Sequence, residues 1–214
     1  MAVIGTFNSW NIIGIPTKPG FRSVDFTISD SVGEARSPFT GQSQFQQWPG
    51  ADFWQVHVSL PPMNRASAAT WIAFLMELRG KANCFYLGDP YAKTPQGAPK
   101  GLVVVDGVTG GGNLIGATTI RTKGWAPAVH RLLLPGDYLS IGPRLHMALS
   151  QVDSDALGLA TITIWPSLRD TTTDGEAISF NYPKGLFRLS SNVRKWSVSE
   201  ARTFGISFDC TEAR

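Results

Sequence analysis

The chain has 214 residues, long enough to bury a substantial core as one large or two small domains. Its apolar share is 43% and its charged share only 16%, with 22 glycines and 14 prolines, which favours a turn-rich β protein over a helical one. The formal charge of +3 arises from 19 basic and 16 acidic residues without a run of five like charges, which argues against nucleic-acid recognition through a basic stripe.

No apolar run reaches the roughly 18 residues of a membrane span, and no basic-then-apolar leader opens the chain. A soluble protein without membrane insertion or a visible export route is therefore expected. Cys84 and Cys210, each in an apolar strand-like segment, are expected as buried reduced thiols of a protein folded in a reducing cytosol, with a disulfide as the alternative.

In chain order, residues 1–50 carry short strand candidates at 3–4, 10–15 and 21–29, punctuated by Pro16, Pro19-Gly20 and Gly33. The stretch SPFTGQSQFQQWPG (37–50) is polar, aromatic and without charge. It reads as an arm reaching a neighbouring subunit, with Phe39, Phe45 and Trp48 as anchors and Gln42, Gln44 and Gln47 available to strand edges. The other reading is an ordinary hairpin whose aromatics cap their own core, and the residues leave both open.

Residues 53–90 form a unit of strand, helix and strand. Trp54, Val56, Val58 and Leu60 alternate with Gln55, His57 and Ser59, a period of two that Pro61-Pro62 ends. Asn64 is placed as an N-cap with Met63 stapling the first turn. Trp71, Phe74, Leu75 and Leu78 then make one apolar helical stripe, and Gly80 is the left-handed stop. This predicts one long helix on a sheet built from both flanking strands, with the return strand at 84–87.

The linker-like run YAKTPQGAPKG (91–101) marks a domain boundary. Strand candidates follow at 102–105, 118–122, 132–134, 138–141, 145–152 and 160–165, with turns at Gly110-Gly111-Gly112, 135–137, 142–143 and 155–158. They describe a small antiparallel barrel or sandwich. Further strands at 178–182, 186–189, 195–199 and 204–208 are expected to return to the first sheet. The expected fold is mainly β with one long helix: a β-sandwich packed by that helix (1–95 and 170–214) and an inserted small β domain (102–169).

Catalytic signatures are sparse. His57, His130 and His146 stand far apart without ligand-spaced partners, so no metal is expected. The glycines of 110–116 miss the dinucleotide spacing, and neither a phosphate loop nor a nucleophile elbow occurs, so no cofactor or catalytic residue is assigned. Asp153 and Asp155 read as turn aspartates and not as a calcium loop. Of the seven tryptophans, Trp54 and Trp71 have core assignments. The other five, Trp10, Trp48, Trp125, Trp165 and Trp196, read as core or subunit contacts sooner than as a sugar platform.

The segments WIAFLMELRG (71–80), FYLGDP (85–90), GDYLSIG (136–142), DSDALG (153–158) and WPSLR (165–169) resemble tail proteins of long-tailed bacteriophages, closest to distal tail and minor tail proteins, over roughly residues 50–190. The resemblance implies a non-enzymatic virion protein made in the host cytoplasm. It implies a ring, usually of six subunits, that joins the tail tube protein to the tip or baseplate hub, built from a helix-flanked β-sandwich that tolerates inserted β domains. Two other functions stay open: a host-glycan-binding module at 102–169, and a cell-wall hydrolase.

Overall fold

The computed structural model describes residues 2–108 and 113–214. In chain order the elements are β1 (Val3–Phe7), β2 (Trp10–Ile13), β3 (Ser23–Ser29), β4 (Val32–Arg36), β5 (Ser43–Gln47), β6 (Phe53–Ser59), α1 (Arg65–Glu77), β7 (Phe85–Leu87) and β8 (Gly101–Val105). They continue with β9 (Thr119–Trp125), β10 (Tyr138–Ile141), β11 (Arg144–Ala148), β12 (Leu159–Trp165), β13 (Ile178–Ser179), β14 (Gly185–Leu189), β15 (Trp196–Val198) and β16 (Phe204–Glu212). The protein is mainly β. No helix among the described residues is long and apolar enough to cross a membrane. The chain divides into two units: one runs to residue 27 and includes 54–90 and 184–214, and the other comprises 28–53 and 91–183.

In the first unit the sheet order is β3-β6-β16-β14-β7, with β15 also paired to β16. The period of two along β6 buries Trp54, Val56 and Val58 and exposes Gln55 and His57. Its antiparallel partner β16 sets Phe208 opposite Val58 and Cys210 opposite Val56, so one face of both strands is apolar. Asn64 caps α1, its side-chain oxygen accepting from the Ser67 N–H at 3.0 Å. Trp71, Phe74, Leu75 and Leu78 are buried as the stripe requires. The Trp71 ring lies 6.0 Å from Phe21, 5.8 Å from Phe74 and 6.3 Å from Phe208, and Phe85 joins the cluster at 5.4 Å from Phe74.

Alternation along β7 sends Phe85 to the helix and its neighbours to the opposite face. There Cys84 packs with Ile12, Leu186 and Ala213 under the β1–β2 hairpin. That hairpin is held to the sheet by Ile13 N–H donating to the Cys84 carbonyl at 2.8 Å and Cys84 N–H donating to that of Asn11 at 2.9 Å. Both cysteines are free and buried, and burial raises both thiol pKa values.

The helix is short, not the long one expected: it ends after 13 residues. Arg79 and Gly80 both take left-handed backbone angles (φ 49° and 71°), and a side chain at 80 would run into Asn192, whose carboxamide oxygen accepts from the Lys81 N–H at 3.1 Å. The chain is thus turned back to the sheet as soon as the apolar stripe is spent.

In the second unit the sheet order is β13-β10-β11-β12-β9-β8. An antiparallel bridge between Val104 and Ala177 brings β8 against the start of β13, so the sheet comes close to closing on itself. Its interior is apolar, from Val103, Val105, Ile120, Ile162, Ile164 and Leu139. Trp125 lies against Phe180 at 5.4 Å and donates its indole N–H to the Thr122 hydroxyl at 2.7 Å. The run at 91–101 is no free linker. Asp137, itself buried, accepts from the N–H groups of Gln96, Gly97 and Leu134 at 2.6, 3.0 and 2.8 Å and fastens the run to the sheet.

Other expectations differ from the structure. Residues 28–53 and 170–183, grouped by sequence with the sandwich, cluster with the second unit because 50–52 bond to the 167–169 segment and β13 pairs with β10. The expected strand at 132–134 is instead an isolated bridge of Leu133 to Val152. The expected turn at Gly110-Gly111-Gly112 lies outside the described residues.

Trp71→Ala is expected to lower stability by about 3–5 kcal/mol, because the side chain is fully buried among three aromatic rings. Urea unfolding of the variant checks this, and an unchanged midpoint would place the core elsewhere.

Candidate subunit interface

β4 and β5 form a two-stranded antiparallel ribbon whose register runs without interruption from Val32 opposite Gln47 to Arg36 opposite Ser43. Ser37 and Gly41 make the tip: the Ser37 hydroxyl accepts from the Phe39 and Thr40 N–H groups, and Gly41, at φ +72°, donates to the Ser37 carbonyl at 3.0 Å. Val32, Glu34, Arg36, Ser43, Phe45 and Gln47 share one face, and Gly33, Ala35, Gln44 and Gln46 share the other. The Ser43 hydroxyl donates to Glu34 at 2.5 Å and ties the first face together.

Each residue proposed from sequence as an interface group lies on this ribbon and is exposed: Phe39, Gln42, Gln44, Phe45, Gln47 and Trp48. Phe39 at the tip is 95% exposed and Phe45 66%, so neither caps a core of its own chain. Trp48, 50% exposed, differs in that its indole lies over Gly33, where an added Cβ would meet Cη2 at 2.6 Å. Gly33 was expected to be a break between strands. It is a strand residue, and its missing side chain is the seat of Trp48.

How the ribbon is held is not legible in the sequence. Asp52, buried just past its second strand, accepts from both the N–H and the hydroxyl of Ser167, each at 2.6 Å. Gly50 N–H donates to the Ser167 hydroxyl at 3.1 Å, and Arg169 donates to the Asp52 carbonyl. On the other strand, Asp30 accepts the Trp165 indole N–H at 2.8 Å. Both strands of the ribbon are therefore bonded at its base to one short segment, 165–169, by charge-assisted contacts. The partners are 115 and 135 residues apart in sequence, and no local pattern reveals such a pairing.

Beside this foothold sits His146, fully buried on β11. Its Nδ1–H donates to the Pro166 carbonyl at 2.8 Å, and its Nε2 is buried without a partner. Desolvation, opposed by the Pro166 bond and reinforced by Arg144 and Arg169, lowers its pKa to about 4. Arg144 in turn donates to Asp170 at 3.0 Å.

The remaining candidates are dispersed. His57 pairs with Asp209 at 2.6 Å and His130 with Asp153 at 2.9 Å, so the three histidines have three separate partners. Among the described residues no group of three or more His, Cys, Asp or Glu is placed to hold a metal ion. Asp155 closes a turn by accepting from the Leu157 and Leu159 N–H groups at 2.8 Å each. The exposed tryptophans Trp10, Trp48 and Trp196 stand on three different segments, while Trp54, Trp71 and Trp125 are buried. No family model and no curated protein matches the chain.

Two expected outcomes follow from the foothold. Asp52→Ala leaves two donors of Ser167 without their acceptor and is expected to cost about 3 kcal/mol or more, measured by urea unfolding. His146 gives a pH dependence. Its folded pKa of about 4 lies below the ordinary 6.5, so the unfolded chain takes up a proton that the folded protein refuses. Stability is expected to fall on the order of 3 kcal/mol as pH drops from 6.5 towards 4, and to level below that as far as this group is concerned. Asp153, held at about 2 mainly by its bond to His130, acts only at lower pH. Unfolding curves at pH 7 and 4.5 measure the slope, and His146→Gln should flatten it.

Proposed function

We propose that the chain is a structural, non-catalytic protein of a bacteriophage tail tip, forming an oligomeric ring, of six copies as in the tail proteins it resembles, between the tail tube and the tip hub. In this reading the helix-bearing unit is the ring-forming β-sandwich, and the 91–183 sheet is an inserted domain. The observation that carries it is the ribbon. A two-stranded hairpin is marginal in water by itself, yet this one is bonded at its base through both strands and presents Phe39 and Phe45 to solvent. Aromatic anchors among uncharged glutamines suit the centre of a protein interface, where buried charge is costly. A closed ring needs such a contact repeated from subunit to subunit. The glycan-binding alternative has less support: the groove on the second unit, about 360 Å³ and lined by Asp106, Arg121, Asp153, Asp155 and Thr161, has no aromatic wall on which a sugar could stack.

The double variant Phe39→Ser, Phe45→Ser removes no buried contact and is expected to keep the circular dichroism spectrum of the parent while losing the ring mass in light scattering and the rings in negative-stain images. A parent protein that stays monomeric at all concentrations would overturn the ring. Rings that survive in the variant would move the contact away from the ribbon.

A further inference from the structure

We propose that the outer edge of β5 docks against β5 of a second copy of this chain, the two strands running antiparallel about a two-fold axis at Phe45. The inference names the partner of the ribbon. It rests on the ribbon being an assembly element, but not on the ring.

The backbone decides which groups are on offer. Ser37 N–H donates to the Gln42 carbonyl at 2.8 Å and Trp48 N–H to that of Ser31 at 3.4 Å. In an antiparallel ladder bonded pairs alternate with non-bonded ones, so Gln44 and Gln46 also turn their backbone groups into β4. Ser43, Phe45 and Gln47 therefore turn their N–H and C=O groups away from the ribbon. Among the described residues the ribbon is a sheet of two strands, and every residue of β5 is exposed. An open edge of this kind is usually guarded by a charge, a proline or a bulge. β5 has none of these, and its pairing with β4 shows no register shift.

The strand is complementary to itself. Laid antiparallel about Phe45, SQFQQ sets Phe45 against Phe45, Gln44 against Gln46 and Ser43 against Gln47. The outward groups of 43, 45 and 47 then meet their counterparts in register and form about six backbone hydrogen bonds. The phenyl rings become a cross-strand aromatic pair at the axis. β4 does not share this property. Its outward-turned residues are Val32, Glu34 and Arg36, and self-pairing about Glu34 would set two carboxylates against each other. One edge of the ribbon thus accepts a second copy and the other rejects it. Because the contact is isologous it closes at two copies, and in a ring it would join subunits pairwise, alternating around the circle with a second contact.

The test is symmetry-specific cross-linking of the full-length chain. Opposed residues of a bonded pair lie about 5.5 Å apart between Cα atoms, within the roughly 4.4–6.8 Å that a disulfide spans. Phe45→Cys is expected to oxidise to a dimer as the major species under mild oxidant. Ser43→Cys alone and Gln47→Cys alone should stay uncrosslinked, and the two mixed should crosslink. The native thiols at 84 and 210 are buried and do not compete. Circular dichroism confirms that each variant is folded, which is expected because all three positions are exposed. Failure of the mixed Ser43→Cys and Gln47→Cys chains, which keep Phe45, to crosslink overturns the strand pair, as does equal self-crosslinking of Ser43→Cys. Rings in the parent without that mixed crosslink would sink this inference alone, whereas the mixed crosslink without rings would sink the ring alone.

Discussion

The organisation of the ribbon-bearing unit depends on the buried carboxylate of Asp52. A carboxylate taken out of water is costly unless donors meet it. Here Ser167 supplies two, from backbone and hydroxyl, while Arg169 bonds to the Asp52 carbonyl. Through that contact an exposed hairpin with little apolar burial of its own acquires a fixed direction. Remove the contact and β4 and β5 still form a ladder, left at its base with the Asp30–Trp165 and Gly50–Ser167 bonds. The neutral, buried His146 belongs to the same region: its imidazole hydrogen-bonds the Pro166 carbonyl, one residue before Ser167. Proton uptake there would place a second imidazolium donor where no acceptor waits, close to two guanidinium groups. The foothold of the ribbon and the acid sensitivity expected from His146 thus have a shared origin.

Much of the helix-bearing unit was legible because its signals are local. The stripe of Trp71, Phe74, Leu75 and Leu78, the cap at Asn64 and the alternation along 53–60 each lie within one element and state which face is buried. The helix stops short of the expected Gly80 because Arg79, which reads as a good helical residue, already takes a left-handed backbone angle ahead of it. The strands of the second unit were legible as strands, but the pairing that brings β8 back to β13 was not, since Val104 and Ala177 announce nothing about each other.

The ribbon shows where local rules mislead. Gly33 punctuates the sequence, so β4 was passed over, although glycine there serves a strand by admitting the indole of Trp48. The aromatic, charge-free composition of 37–50 was visible at once, and its exposure was one of two readings that composition could not separate. The foothold was invisible altogether: Asp52 borders an apolar strand and Ser167 sits in a proline turn, and only the three-dimensional fold brings them within 2.6 Å.

The two edges of the ribbon differ in a way that packing within the chain does not require. Glu34 and Arg36 on β4 are the kind of residues that discourage a strand from pairing with its own copy, and Ser43, Phe45 and Gln47 on β5 are not. A hairpin whose only role was to shield its own chain would gain from guarding both edges, since an uncharged open edge invites aggregation. In the proposed pairing, charge on one strand and its absence from the other would restrict association to a single edge and, through the in-register opposition of Phe45 with itself, to one alignment. Side-chain periodicity reinforces this: a slip by one residue would throw Phe45 to the opposite face from its counterpart and break the aromatic pair. The asymmetry between β4 and β5 is what the proposed strand pairing requires, and protection of the subunit's own surface does not call for it.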